Sequence, residues 1–220
     1  MYFIVTYSYL ILPLCFFLFQ SKIKDKLLVL LALYGIIFWG LLMCHGLLPK
    51  DIRKYYQAFY TFLEYSVFTY IFWYNIRNKI FRNFIILISV LFIFFQIFYV
   101  TTTTLNKLDS IPIGIETIFI FIYIFYFFYE YSKNIKDSFI YNHYCFWISV
   151  GILIYLGGSF FFYILINQLD SSQIETFGNL TYIAEIIKNL LFAVSLFFYK
   201  KFPTDNIQNK PPKIPNLDMI

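Results

Sequence analysis

The chain has 220 residues, of which 60% are hydrophobic and only 13% are charged, and its mean hydropathy is +0.69. Soluble domains contain roughly 45–50% apolar and about 25% charged residues, so this chain has too few polar side chains to cover a water-exposed globule. The composition excludes a disordered chain, a disulfide-stabilised scaffold, a collagen-like fibre and a nucleic-acid-binding protein, despite the net charge of +5. It predicts an all-α, polytopic integral membrane protein.

Seven apolar segments are long enough to be membrane spans, since a spanning helix needs about 20 mostly apolar residues. Pro13 lies inside the first segment and is expected to kink it. Pro49 closes the second segment, Asp109 followed by Pro112 opens the fifth, and Gly178 opens the seventh. The predicted spans are about 2–19, 27–48, 55–75, 83–103, 111–131, 144–167 and 178–199.

The basic residues between these spans predict the orientation of the bundle, because cytoplasmic loops carry an excess of lysine and arginine. Twelve basic residues fall on one side and four on the other, which predicts an outside N-terminus and a cytoplasmic C-terminus. Residues 1–199 then form the seven-helix transmembrane domain, and 200–220 form a disordered cytoplasmic tail. The expected location is the bacterial inner membrane. The twelve are Lys22, Lys24, Lys26, Arg77, Lys79, Arg82, Lys133, Lys136, Lys200, Lys201, Lys210 and Lys213, and the four are Lys50, Arg53, Lys54 and Lys107.

Four ionisable residues lie well inside the predicted spans. A charge at the bilayer centre costs at least about 2.5–3.5 kcal/mol, so such residues normally face the bundle interior and have a partner. Glu64 lies near the middle of the third span, while Glu185 and Lys188 are roughly 10 and 15 Å deep in the seventh. Glu116 lies about 7 Å inside the fifth. We therefore expect one buried lysine to be surrounded by two or three glutamates.

Helical periodicity places further polar residues on the same faces as these charges. The pattern predicts a ligand-binding pocket or charge cluster between the third, fifth, sixth and seventh helices. Small residues are expected to let helices approach closely, at Gly35 and Gly40 in the second span and at Gly151 and Gly158 in the sixth. The candidate site residues are Thr61, Glu64, Glu116, Tyr155, Tyr182, Glu185, Lys188 and Asn189.

Two simpler interpretations remain open for these residues. Buried ion pairs can serve only to fix helix register, and polar groups can bond across helices for structural reasons alone. The sequence contains no convincing catalytic set and no metal-ligand set, because His45 and His143 fall at opposite membrane faces. No cofactor is required by these patterns.

A lysine in the last of seven helices, with a carboxylate in the third, resembles the retinal-binding rhodopsins. That resemblance implies a Schiff base between retinal and Lys188, with Glu64 and Glu185 as counterions. The acid of the seventh helix lies three residues before the lysine here, whereas it lies four before it in microbial rhodopsins.

A second resemblance covers most of the chain. The segments Leu63-Glu64-Tyr65, Ile115-Glu116-Thr117, Phe146-Trp147-Ile148 and Ile187-Lys188-Asn189, with Gly151, Tyr155 and Gly158, are similar to a group of seven-helix bacterial membrane proteins associated with sensor histidine kinases. This similarity implies that the chain receives a signal and passes it to a cytoplasmic partner.

These observations favour a membrane receptor or sensor subunit that binds a small or amphiphilic ligand in an intramembrane polar pocket. The expected partners are membrane lipids, the small or lipid-like ligand and a cytoplasmic kinase or other effector, with no nucleic acid. One alternative is an intramembrane lipid-modifying enzyme that uses the buried glutamates as general acid or base. Others are an ion or proton carrier or channel, in which Glu116 and Glu64 form a relay, and a membrane assembly subunit.

Overall fold

The computed structural model describes residues 1–19, 26–102, 110–134, 140–165 and 168–201, and every regular element in these ranges is helical. Asp109 and the predicted tail beyond residue 201 lie outside the described residues. In chain order the helices are α1 (Tyr2–Ser8), α2 (Ile11–Phe19), α3 (Lys26–His45), α4 (Lys50–Asn75), α5 (Lys79–Thr102), α6 (Ser110–Asn134), a 3-10 turn (Ile140–Asn142), α7 (Tyr144–Leu165) and α8 (Ser171–Lys201).

Five of the described helices are long and apolar enough to cross a membrane, which confirms the predicted all-α membrane class. They lie at Lys26–His45, Lys79–Thr102, Ile111–Lys133, Tyr144–Leu165 and Ser172–Tyr199. The segment Tyr2–Leu18 is apolar but shorter. Helix α4 is long enough but more polar, since its 26 residues begin with a charged turn and include Glu64.

The first predicted span is broken, as Pro13 led us to expect. Proline has no backbone N–H, and its ring clashes with the carbonyl four residues earlier, which here belongs to Tyr9. Helix α1 ends at Ser8 and α2 begins at Ile11, so the break falls at that carbonyl. Gly35 of α3 lies against the break, because a Cβ atom there would be 2.6 Å from the Tyr9 carbonyl oxygen. A close approach at Gly40 was a wrong prediction, since a Cβ atom there would meet nothing within 4 Å.

The last helix begins seven residues before the predicted start, so the prediction that Gly178 opens it was wrong. Asp170 precedes the helix, and its backbone N–H donates to Gln173 Oε1 at 3.0 Å. An N-terminal cap followed three residues later by Gln is the pattern of a capping box, which stabilises a helix start. Gly178 lies inside the helix as a consequence.

The turn between α4 and α5 is fixed by α6. Glu130 accepts hydrogen bonds from the backbone N–H groups of Arg77 at 2.9 Å and of Asn78 at 2.8 Å. The side chain of Asn78 in turn accepts the N–H of Ile80 at 2.9 Å and donates to the Tyr126 hydroxyl at 2.8 Å. These contacts fix the position of α4 relative to α6.

Glycines bring α7 into close contact with α8, as predicted from their spacing. A Cβ atom at Gly151 would lie 3.3 Å from the Lys188 carbonyl oxygen, and one at Gly158 would lie 3.1 Å from the Ala184 Cβ atom. Tyr155 lies between the two glycines on α7. Its side chain is therefore held close to the α8 segment that carries Lys188.

Candidate functional site

The ammonium group of Lys188 lies at the centre of the bundle and is fully buried. Its Nζ atom donates to the Tyr34 hydroxyl at 2.7 Å and to the Tyr9 hydroxyl at 3.1 Å. It also lies 3.4 Å from Glu64 Oε1, which makes a salt bridge between α8 and α4. One side chain of α8 therefore contacts the break of the first helix, α3 and α4.

Aromatic rings surround the same ammonium group. Lys188 Nζ is 4.0 Å from the ring centroid of Tyr155, 5.0 Å from that of Tyr9 and 5.2 Å from that of Tyr34. The ring of Phe68 completes the cage at 5.8 Å. A cation within about 6 Å of a ring face is attracted by the ring quadrupole, and the attraction grows when the site excludes water.

The carboxyl group of Glu64 has donors on both oxygens. Tyr155 donates to Oε2 at 3.0 Å, and Tyr34 donates to Oε1 at 3.3 Å on the side where Lys188 approaches. The residue is only 4% exposed. A buried charge is tolerated when it is paired and its remaining lone pairs are satisfied, which is the case here.

Glu185 belongs to the same network through Tyr9. The Tyr9 hydroxyl donates to Glu185 Oε1, and the Tyr60 hydroxyl approaches that oxygen at 3.4 Å. Because Tyr9 also accepts from Lys188, its hydroxyl joins the ammonium group to the second carboxyl group. We call the set Tyr9, Tyr34, Tyr60, Glu64, Tyr155, Glu185 and Lys188 the charge network.

A cavity of about 530 Å³ leads from one end of the bundle to the charge network. Its wall begins at the exposed residues Ile174 and Glu175 near the start of α8 and reaches the buried carboxyl groups of Glu64 and Glu185. Lys188 does not line it, so the ammonium group lies behind the carboxyl groups as seen from the cavity.

Glu116 and Gln96 also line the cavity, but unlike the carboxyl groups of the charge network each has an oxygen without a hydrogen-bond partner among the described residues. Glu116 is 1% exposed and Gln96 is 5% exposed, yet the Oε1 atom of each lacks a hydrogen-bond partner among the described residues. The Gln96 amide is held in place because its Nε2 atom donates to the Ala58 carbonyl at 2.7 Å. Two residues of the wall therefore each carry an acceptor oxygen without a partner among the described residues.

The structure brings most of the predicted site residues to one place. Glu64, Tyr155, Glu185 and Lys188 belong to the charge network, while Thr61, Glu116 and Tyr182 line the cavity above it. Asn189 lies elsewhere, since its Nδ2 atom donates to the Ser8 hydroxyl at 2.8 Å and so joins α8 to α1.

The sequence did not identify the contribution of the first two spans. The expected pocket lay between the third, fifth, sixth and seventh helices, but Tyr9 donates to Glu185 and Tyr34 donates to Glu64. Nothing in the sequence distinguished these two residues from the other tyrosines of the chain, which has 21. Two residues were detectable, because Tyr60 lies one helical turn before Glu64 and Gln96 is an isolated amide in an apolar run.

The described residues contain no group of three His, Cys, Asp or Glu side chains that could hold a metal ion. No protein-family model, curated protein or solved structure matches this chain. The similarity to sensor-kinase-associated membrane proteins therefore stays a prediction.

Proposed function

We propose that the chain crosses the membrane seven times, with α1 and α2 forming one crossing and α4 another. The length of α4, about 39 Å at 1.5 Å per residue, supports a crossing despite its polarity. The excess of basic residues in the loops opposite the N-terminus supports an outside N-terminus and a cytoplasmic C-terminus. The cavity, whose wall includes Tyr2 and the start of α8, then opens toward the outer side.

Within this topology we propose a receptor or sensor subunit. A small amphiphilic ligand enters the cavity from the outer side, and its binding is transmitted to a cytoplasmic kinase or other effector. One observation carries the proposal: the cavity ends at Glu64 and Glu185, which belong to a network joining α3, α4, α7 and α8 with the break at Tyr9. A ligand at this position can influence several helices at once.

The coupling follows from the hydrogen bonds. A ligand shifts an equilibrium only when it binds one arrangement better than the other. A ligand group that bonds to Glu64 or Glu185 competes with the tyrosine hydroxyls that hold those carboxyl groups. The competition changes the relative stability of the helix arrangements, since each such bond crosses between two helices.

The packing beyond the charge network supports a receptor over a carrier or channel. The buried side chains of Phe68, Phe72, Phe192 and Leu196 fill the interior toward the C-terminal end of α8. A close-packed interior of this kind transmits displacement, because it has few alternative arrangements. A water-filled path for ions would need open space at this level, which these buried side chains occupy.

Native mass spectrometry of the protein purified from bacterial membranes tests ligand binding. We expect a retained molecule of low mass in the wild type and its loss in Thr61→Trp, which fills the cavity. Thr101→Trp changes an exposed threonine of α5 outside the cavity and should retain the molecule. Equal retention by both variants would contradict the proposed site.

Distances between spin labels test the coupling to the inner side. Labels at Tyr129→Cys on α6 and Phe197→Cys on α8 report helix positions there, after Cys15 and Cys44 have been replaced by serine. We expect Glu64→Gln to shift the distance distribution, because it weakens the bonds between helices. Identical distributions in folded wild type and variant would contradict transmission through the charge network.

A further inference from the structure

The charges around the cavity are unevenly balanced. Three carboxyl groups, those of Glu64, Glu116 and Glu185, contribute to its wall. Lys188 is the one basic residue in the described core that is fully buried, and it lies against Glu64. Glu185 receives hydroxyl donors instead. Glu116 receives neither a cation nor a hydrogen bond from the described residues on its Oε1 atom.

The second acceptor without a partner in this wall, Gln96 Oε1, indicates which chemical groups a ligand would need there. Buried acceptors nearly always have a hydrogen-bond partner, because an unmade bond costs about 1–3 kcal/mol. Gln96 cannot turn its amide to donate toward the cavity without losing its bond to the Ala58 carbonyl. A group that satisfies both Glu116 and Gln96 must therefore carry N–H or O–H donors, and a positive charge would compensate the carboxylate.

The rest of the wall is suited to an apolar body. Val100, Ile113, Leu156 and Phe162 line the cavity together with several tyrosine rings, which attract cations through their faces. The volume of about 530 Å³ falls within the range of about 300–1,000 Å³ that is usual for organic ligands. A bare metal ion would leave most of this apolar wall without a contact.

We propose that the cavity binds an amphiphilic organic cation, whose ammonium group donates to Glu116 and Gln96 while its hydrocarbon part lies along the apolar wall. The inference rests on the proposed function only in using the same cavity. It adds the sign of the ligand charge, its donor character and the two residues that recognise it. Glu116 supplies the compensating charge, and Gln96 supplies a neutral acceptor in the same wall.

Three probes of similar size separate charge from hydrophobicity. Radiolabelled octylamine, octan-1-ol and octanoate are dialysed against the protein in phosphatidylcholine nanodiscs, and binding to empty nanodiscs is subtracted. We expect saturable binding of one octylamine per chain, at least about tenfold tighter than either other probe, because an ion pair in a dry site is strong. Octanol binding as tightly as octylamine, or octanoate binding more tightly, overturns the inference.

Two variants locate the recognition. Glu116→Gln keeps the size of the side chain and should weaken octylamine binding at least about tenfold. Glu130→Gln removes a carboxylate from the same helix outside the cavity and should change the affinity by less than about twofold. Circular dichroism and gel filtration establish that both variants fold. As a second measurement, octylamine should raise the melting temperature of the wild type and not that of Glu116→Gln.

The outcomes separate this inference from the proposed function. Octanol or octanoate binding that is at least as tight as that of octylamine, and that Thr61→Trp abolishes, would keep the cavity as a ligand site and overturn only the cationic ligand. Octylamine binding that survives Glu116→Gln would also overturn it, since recognition would then lie elsewhere. A lack of saturable octylamine binding up to about 1 mM overturns it as well, while mass spectrometry and label distances judge the receptor separately.

Discussion

Removing either partner of the Lys188–Glu64 pair should lower the free energy of unfolding by several kcal/mol, because a buried group is left without its partner. The ammonium group is fully buried, and the two charged atoms are 3.4 Å apart. Breaking a buried ion pair from one side costs about 3–5 kcal/mol, because a charge is left without a partner, whereas replacing both residues is often nearly neutral. The informative experiment is therefore a double-mutant cycle with Lys188→Met and Glu64→Gln.

The remaining hydrogen bonds determine the magnitude. Without Lys188, the Glu64 carboxyl group keeps donors from Tyr155 and Tyr34 at 3.0 and 3.3 Å. Without Glu64, the ammonium group keeps the Tyr34 and Tyr9 hydroxyls. These contacts place each single loss at the lower end of the range, at about 3 kcal/mol. The double variant is not neutral, because Glu64→Gln leaves a buried amide in place of an apolar side chain, and we expect it to lose about 3 kcal/mol as well. The coupling energy is then about 3 kcal/mol, well above the roughly 0.6 kcal/mol typical of interhelical hydrogen bonds in membranes.

Unfolding by SDS in mixed micelles, followed by circular dichroism, measures these free energies. Ser195→Ala is a matched control on α8, two turns beyond Lys188, because the buried Ser195 hydroxyl donates to the Phe192 carbonyl of its own helix at 2.6 Å and to no other helix of the described ranges. Its effect should add to that of Glu64→Gln. Additive losses for the Lys188 and Glu64 variants themselves, within about 0.5 kcal/mol, would refute a direct interaction between the two side chains.

Three further predictions concern helix packing, a turn and a titrating side chain. Gly35→Ala places a methyl group 2.6 Å from the Tyr9 carbonyl oxygen and should cost about 1–3 kcal/mol, whereas Gly40→Ala meets nothing within 4 Å and should be neutral. Glu130→Gln weakens the acceptor of two backbone N–H groups and should cost about 1 kcal/mol. Burial, with a smaller effect of a nearby arginine, lowers the pKa of His143 to about 4. The imidazole takes up a proton near pH 6.5 in the unfolded chain but only near pH 4 in the folded chain. The free energy of unfolding should therefore fall by up to about 3 kcal/mol as the pH is lowered from 6.5 to 4, and should then stay level below pH 4.

The same unfolding assay checks all three, each with its own contrary result. Equal stability of the Gly35 and Gly40 variants would contradict the close contact between α3 and the break. A Glu130→Gln protein as stable as the wild type would show that the turn does not depend on α6. His143→Asn keeps an acceptor for the Cys145 N–H, which His143 Nδ1 receives at 3.2 Å. A pH dependence unchanged in this variant would exclude His143 as the titrating group.

The charged part of the site was predictable because inserting a charged residue into the membrane costs several kcal/mol. Glu64 and Lys188 stand out in spans with few other charges, and similar depth is enough to suggest a pair. The packing of α7 on α8 was also predictable, since Gly151 and Gly158 mark a face on which helices approach closely. Both inferences depend on residue types that are rare at their positions.

Tyr9 and Tyr34 were not predictable, because nothing in the sequence separates them from a tyrosine at the membrane interface. Tyr9 and Tyr34 are buried, whereas Tyr129 is 60% exposed, and all three occur in apolar segments. The start of α8 was missed for a different reason. Gly178 was interpreted as a helix start, while the capping pair Asp170 and Gln173 lay in a segment interpreted as a loop.

The break in the first helix connects these features. Pro13 releases the backbone at Tyr9, and Gly35 leaves the space in which that break can pack against α3. The Tyr9 hydroxyl has one proton, which it gives to Glu185, and its oxygen accepts from Lys188. Glu185 lines the cavity and Lys188 does not, so the Tyr9 hydroxyl links the cavity wall to the ammonium group behind it. A ligand that displaced Tyr9 from Glu185 would therefore act first on the helix with a broken backbone, which has fewer internal hydrogen bonds to resist movement than the long helices around it.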